Sequence, residues 1–205
     1  GYFAGKGGYT GWEPGLFLGM NLIGKTLGIV GLGRIGTMVA RRAQGYGMNV
    51  VYNKHSRDTE CEEKMGVKFC ELDQLLSESD VVTLHVPLND ETRHMINKET
   101  LGKMKRGAFL VNTARGAVVS EPDLIDALKN GQLFGAGLDV FDNEPNISKD
   151  LIAMPNVILT PHIASATHEA RNKMGELAVS AIMETLKGTN PVNIVNKEVW
   201  EKRRK

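Results

Sequence analysis

Apolar runs alternate with segments of helical spacing along most of the chain. Residues 26–30 form a short apolar run, 34–46 carry the spacing of a helix, and 49–52 are apolar and β-prone. The alternation continues with strands over 67–69, 81–85, 108–112, 135–140 and 157–160, and with helices over 72–76 and 122–130. A last helix is predicted over 166–186, where Met174, Leu177, Ala178, Ala181, Ile182 and Leu186 fall three and four apart. Strands that are apolar almost throughout belong to a parallel sheet covered on both faces, so the predicted fold is α/β, a doubly wound parallel sheet. The last helix is expected to pack on that sheet as part of the core. Residues 1–19 hold seven glycines with Trp12 and Pro14 and show neither period, so they read as an irregular glycine-rich arm.

Gly31-Leu32-Gly33-Arg34-Ile35-Gly36 sits between the first strand and the first helix. In that context Gly31 allows a tight turn, Gly33 lets a pyrophosphate approach the backbone, and Gly36 lets helix and strand pack closely. The helix start then aims amide groups and its dipole at phosphates. A Rossmann-type dinucleotide-binding domain over residues 20–188 is therefore predicted, with Gly31, Gly33, Arg34, Ile35 and Gly36 in the phosphate turn. An acid at the tip of the second strand would suit the ribose hydroxyls of NAD. This chain has Asn53, Lys54, His55, Ser56 and Arg57 there, and such cations suit the 2′-phosphate of NADP. NADP(H) is favoured on that ground; NAD(H) stays open, because Asp58 just beyond could turn inward.

The chain has 205 residues, 41% hydrophobic and 24% charged, with a formal net charge of +1, which argues against disorder and against a polyanion partner. No apolar run reaches the ~18 residues of a membrane span and no signal-peptide layout opens the chain, so a cytoplasmic location without membrane or nucleic-acid partners is expected. The basic tail over 197–205 reads as solvated. Cys61 and Cys70 lack the spacing of a disulfide framework or a zinc site, and no metal is expected.

Three further segments follow strands: Asn112-Thr113-Ala114-Arg115-Gly116, Leu138-Asp139-Val140-Phe141-Asp142-Asn143-Glu144-Pro145, and Thr160-Pro161-His162-Ile163-Ala164-Ser165. Together with the glycine turn they closely resemble the D-isomer-specific 2-hydroxyacid dehydrogenases, over residues 9–195. Within that family the chain looks most like the glyoxylate/hydroxypyruvate reductase branch. The 3-phosphoglycerate dehydrogenases and the non-catalytic, NAD(H)-sensing corepressors are alternatives; formate dehydrogenases carry glutamine where this chain has Glu144.

The resemblance implies that Arg115 orients the substrate, that His162 is the acid/base and that Glu144 is its partner. The residue chemistry agrees: a guanidinium can hold a carboxylate bidentately and polarise a keto oxygen, and an imidazole can exchange a proton with that oxygen. The same resemblance places His85, Val86, Pro87, Thr92, Thr113, Ala114, Arg115, Asp139, His162 and Ala164 along the cofactor cleft. No chemistry is assigned to His85, and His55, His94 and His168 read as exposed or helix-surface residues. It further implies a small 2-keto or 2-hydroxy acid substrate and a homodimer through this domain.

Family members build a substrate lobe mostly before the coenzyme domain, whereas here the first strand starts near residue 26. The lobe is expected to be largely absent, with residues 189–205 leading back toward it. The 205-residue chain assayed alone is accordingly expected to bind NADP(H) without ordinary turnover; reduction of glyoxylate or hydroxypyruvate at roughly 1 per second or faster would overturn this.

Overall fold

The computed structural model describes residues 11–15 and 18–202; most of the glycine-rich arm and residues 203–205 lie outside the described residues. β1 (Thr26–Val30) runs through the glycine turn into α1 (Arg34–Gly45), followed by β2 (Asn49–Asn53), α2 (Thr59–Met65), β3 (Lys68–Phe69) and α3 (Leu72–Glu78). The chain continues with β4 (Val81–Leu84), α4 (Lys98–Lys103), β5 (Ala108–Asn112), α5 (Glu121–Lys129) and β6 (Leu133–Leu138). It ends with α6 (Lys149–Ala153), β7 (Val157–Leu159) and α7 (His168–Leu186).

All neighbouring strands are parallel, in the order β3-β2-β1-β4-β5-β6-β7. The chain moves outward from β1 to β3 and then returns to β4 on the other side of β1. Strand order therefore reverses between β1 and β4, which opens a crevice at their carboxyl ends. Alternate residues of β1 feed two apolar clusters. Leu27 and Ile29 pack with Ala40 and Ala43 of α1 and with Val50 and Tyr52 of β2. Val30 packs toward Leu75, Leu84, Leu110, Leu124 and Leu138. The doubly wound parallel sheet expected from the apolar runs is present.

Helices α2, α4 and α6 were not anticipated, since five to seven residues carry too little period to register. Two of them bear legible caps. Asp58 accepts from the Cys61 amide at the start of α2, and Asn97 with Thr100 forms a capping box on α4. β4, β6 and β7 each stop earlier than their apolar runs suggested, which leaves His85, Asp139 and Thr160 immediately beyond the strands.

The last helix corrects the sequence reading. It is expected to be a core helix, yet none of its residues is buried, and Met174, Val179, Ile182 and Leu186 are all exposed. One row of the sheet is incompletely covered as well: Val111, Gly137 and Ile158 lie side by side across β5, β6 and β7, the first two half-buried and Ile158 73% exposed. Spacing makes a helix amphipathic; it does not say which surface meets its apolar face. Trp12, from the arm, is 82% exposed. No described helix is long and apolar enough to cross a membrane.

The loops after β5 and β6 touch through Gly116, where an added Cβ would fall 1.9 Å from the Phe141 carbonyl carbon. Gly116→Ala is expected to destabilise the chain by about 1–3 kcal/mol in urea unfolding, because two backbones must separate to admit a methyl group. An unchanged midpoint would show that these loops are not in enforced contact.

Candidate active site

Every residue singled out from the sequence lies at one edge of the sheet. The glycine turn follows β1, residues 53–57 follow β2 or end it, and His85, Val86, Pro87 and Thr92 follow β4. Thr113, Ala114 and Arg115 follow β5, Asp139 and Glu144 follow β6, and His162 and Ala164 follow β7.

The glycine turn fits a dinucleotide. Gly31 has φ +100°, and an added Cβ would lie 2.7 Å from the His85 carbonyl oxygen. At Gly36 a Cβ would lie 2.4 Å from the Gly31 oxygen, so only glycine lets α1 start this close to β1. At Gly33 a Cβ would meet nothing within 4 Å, so the backbone is bare on an open side. Gly33 is also the N-cap of α1 and supplies no side-chain acceptor, which leaves the leading amides for an anionic ligand. Arg34 and Ile35 are exposed at the same helix start.

His162 and Glu144 come together: His162 Nδ1 lies 2.9 Å from Glu144 Oε2. The other oxygen, Glu144 Oε1, accepts the Phe141 amide at 3.0 Å. The hydrogen bond from His162, and after it that from the Phe141 amide, hold the Glu144 carboxyl below its ordinary range. An ionised carboxylate only accepts, so Nδ1 carries a proton and Nε2 is the nitrogen left for exchange with a ligand. His162 adopts φ +54°, a left-handed conformation uncommon outside glycine.

Asp139 fixes that conformation. It is 4% exposed, and its Oδ1 accepts Thr160 Oγ1 at 2.6 Å and the Ile163 amide at 2.8 Å, while Oδ2 accepts the Ala164 amide at 2.8 Å. Burial works to raise its pKa, but the three hydrogen bonds outweigh it and hold the carboxyl below the usual range. Asp139 thus brackets His162 from both sides, with an acceptor position still open on Oδ2.

Arg115 is exposed after β5, its Nη1 donating to the Ala114 carbonyl at 2.6 Å, and it makes no bond to Glu144 or His162. Its loop is held by Asn112, 1% exposed, whose Oδ1 accepts the Ala114 amide and whose Nδ2 donates to the Arg115 carbonyl. Asn112 and Thr160 belong to the site although neither stood out in the sequence; both lie inside the motifs, each a polar side chain where a strand ends. Thr92 closes its own loop, donating to the Pro87 carbonyl at 2.6 Å. His85 is half-buried beside Thr83, and burial lowers its pKa. His94, read as a surface residue, is exposed but has φ +50° and faces Asp142 at 3.7 Å, so it ties its loop to the one carrying Glu144. His168 opens α7. The loop after β2 departs from its sequence reading, since each of its potential cations already has a carboxylate partner.

A parallel sheet with a glycine turn at its switch point and a histidine–carboxylate pair on the same edge defines a dinucleotide-dependent oxidoreductase domain. Residues 4–164 match the model of the "D-isomer specific 2-hydroxyacid dehydrogenase, NAD binding domain". The chain belongs to the D-isomer-specific 2-hydroxyacid dehydrogenase family. It is 52% identical over 190 residues to a glyoxylate reductase of Thermococcus litoralis, covering 93% of this chain and 57% of that relative. A solved glyoxylate reductase from Paecilomyes thermophila superposes with TM-score 0.87 at 38% identity, over 96% of this chain and 59% of the other. The NAD-complexed enzyme of this family from Lactobacillus delbrueckii ssp. bulgaricus superposes with TM-score 0.83 at 31% identity, over 95% and 63%. The chain thus spans under two thirds of the length of these relatives.

Because Asp139 and Glu144 have depressed pKa values, the stability they contribute is fully present above their unfolded values near pH 4 and is lost as pH falls through the folded ones. Asp139→Asn is expected to cost about 1–3 kcal/mol in urea unfolding at pH 7 and to weaken the loss of stability on acidification to pH 3. A variant with wild-type stability at both pH values would remove Asp139 from this role.

Proposed function

We propose that this chain is the coenzyme-binding part of a 2-hydroxyacid dehydrogenase that reduces a small 2-keto acid such as glyoxylate or hydroxypyruvate, with NADP(H) favoured and NAD(H) accepted. The observation that carries the proposal is the 2.9 Å His162–Glu144 pair on the edge that also bears the glycine turn. The bound nicotinamide supplies the hydride chemistry. Gly31, Gly33 and Gly36, with the start of α1, hold the pyrophosphate; residues 53–57 border the adenosine ribose; Asp139 and Ala164 border the nicotinamide end.

Arg115 holds the substrate carboxylate with its planar fork and polarises the keto oxygen. His162 Nε2 gives its proton to that oxygen as the carbonyl carbon is reduced, and takes it back in the oxidation direction. Glu144 stays ionised, keeps the ring in the orientation that presents Nε2, and stabilises the imidazolium before the transfer. Substrate selection belongs to a second lobe, toward which residues 189–205 lead. The exposed apolar residues of α7 and the open row at Ile158 fit surfaces that such a lobe or a second copy covers. Self-association through this domain and a cytoplasmic location belong to the same proposal.

Two measurements test it. Fluorescence titration is expected to show tighter binding of NADPH than of NADH, and the reverse order would overturn the cofactor preference. In the enzyme carrying both lobes, His162→Gln is expected to lower kcat about 10²- to 10⁴-fold with the NADPH Kd little changed. Loss of less than tenfold would remove His162 as the proton donor.

A further inference from the structure

The loop after β2 carries Lys54, His55 and Arg57, but none of the three is electrostatically alone. Lys54 Nζ lies 3.1 Å from Asp58, His55 Nε2 2.9 Å from Glu91, and Arg57 Nη2 2.7 Å from Glu62. The two permanent cations of this tip, Lys54 and Arg57, thus face Asp58 and Glu62, while His55 faces Glu91, so two of the three carboxylates come from outside residues 53–58. A 2′-phosphate approaching the loop meets compensated charge, where the linear sequence shows only basic residues.

The three pairs differ in how firmly they are held. His55 and Glu91 are 86% and 69% exposed, so water and salt screen them strongly. Asp58 divides its carboxylate between Lys54 and the Cys61 amide it caps. Glu62 is different: its side chain is 15% exposed, and its Oε1 accepts the hydroxyl hydrogen of Tyr52 at 2.8 Å. Tyr52 is fully buried in β2, and its hydroxyl oxygen in turn accepts the Asp58 amide at 2.8 Å. A core tyrosine therefore anchors the acid, and the acid grips Arg57 along one side of the guanidinium, through Nε and Nη2. The hydrogen bonds from Arg57 and then Tyr52 hold the Glu62 carboxyl below its ordinary range, so it is ionised at neutral pH. The whole assembly adjoins the phosphate turn, because the Gly31 amide donates to the Asn53 carbonyl at 2.9 Å.

We propose that Glu62 is a specificity-determining residue for the dinucleotide: its carboxylate, positioned by Tyr52, offsets the Arg57 charge and narrows the advantage of NADP(H) over NAD(H). This rests on the reading that the dinucleotide binds at this edge, with its adenosine ribose against residues 53–57. A carboxylate within a Debye length of a phosphate of nearly two negative charges, at an effective dielectric between those of water and the protein surface, is expected to shift affinity by about three- to tenfold once screening is included.

The test is a charge cycle on the 205-residue chain, with NADPH and NADH titrated by nicotinamide fluorescence at low salt and at 0.5 M KCl. Glu62→Gln keeps the size of the side chain and an acceptor for Tyr52. It is expected to raise the ratio of NADPH to NADH affinity about three- to tenfold with NADH nearly unchanged, and the gain should shrink in high salt. Arg57→Gln, an exposed change, is expected to lower the ratio, and the double variant to return it near the wild-type value. An unchanged ratio in Glu62→Gln, or equal weakening of both dinucleotides, would show that Glu62 only braces the loop and would overturn the inference. If Glu62→Gln does not fold, an Arg57→Gln ratio equal to wild type overturns it instead. Failure of the wild-type chain to bind either dinucleotide overturns the site reading itself, a result distinguishable from both.

Discussion

Seven strands running in one direction put all their carboxyl ends on one edge of the sheet, and the remaining arrangement depends on that constraint. Residues separated by up to 131 positions, from Gly31 to His162, are gathered there without any local signal linking them. β1 and β4 are neighbours in space, yet the chain visits β2 and β3 between them. The connections leaving β1 and β4 consequently diverge to opposite faces and leave a crevice. Gly31 and Gly36 let α1 begin at the floor of that crevice, and any side chain there would collide with backbone.

Polar side chains at the ends of buried strands then convert an open edge into a rigid site. Asn112, at the end of β5, holds the Arg115 loop, and Asp139, just past β6, holds the His162 loop. Each is nearly inaccessible to water, so its hydrogen-bonding groups must find partners inside the chain, and those partners are backbone amides and carbonyls of nearby loops and, for Asp139, the Thr160 hydroxyl as well. The left-handed conformation of His162 costs about 1–3 kcal/mol and persists because Asp139 bonds the residues on either side of it. Glu144 adds the last restraint by joining its own turn to the imidazole. The geometry of the candidate site is second-hand: the loops that carry Arg115 and His162 are held in place by the buried side chains of Asn112 and Asp139.

Much of this was legible beforehand. The strand–glycine turn–helix unit and the parallel sheet follow from residue types in order, because each rests on a local rule, whereas the segments bearing Arg115, Glu144 and His162 stand out by their resemblance to a family. What escaped depended on partners distant in sequence. The packing of the last helix was misjudged, since spacing reports an apolar face but not what covers it. The tip after β2 reads as basic in the sequence because two of the acids that pair with it, Glu62 and Glu91, lie further along the chain. Of the short helices, α2 and α4 left only their caps as a trace, and α6 has no side-chain cap.

The sequence by itself determined the order of the strands and longer helices, the direction of the strands and the place of the phosphate turn. Apolar runs, helical spacing and the steric freedom of glycine all act within a few residues of one another. Tertiary structure alone decided that Asp139 would brace the histidine loop, that Arg57 would be offset by Glu62, and that α7 would lie outside both apolar clusters. Hydrogen bonds and charge pairs act over a few ångströms in space, and separation along the chain does not predict which groups fall within that range.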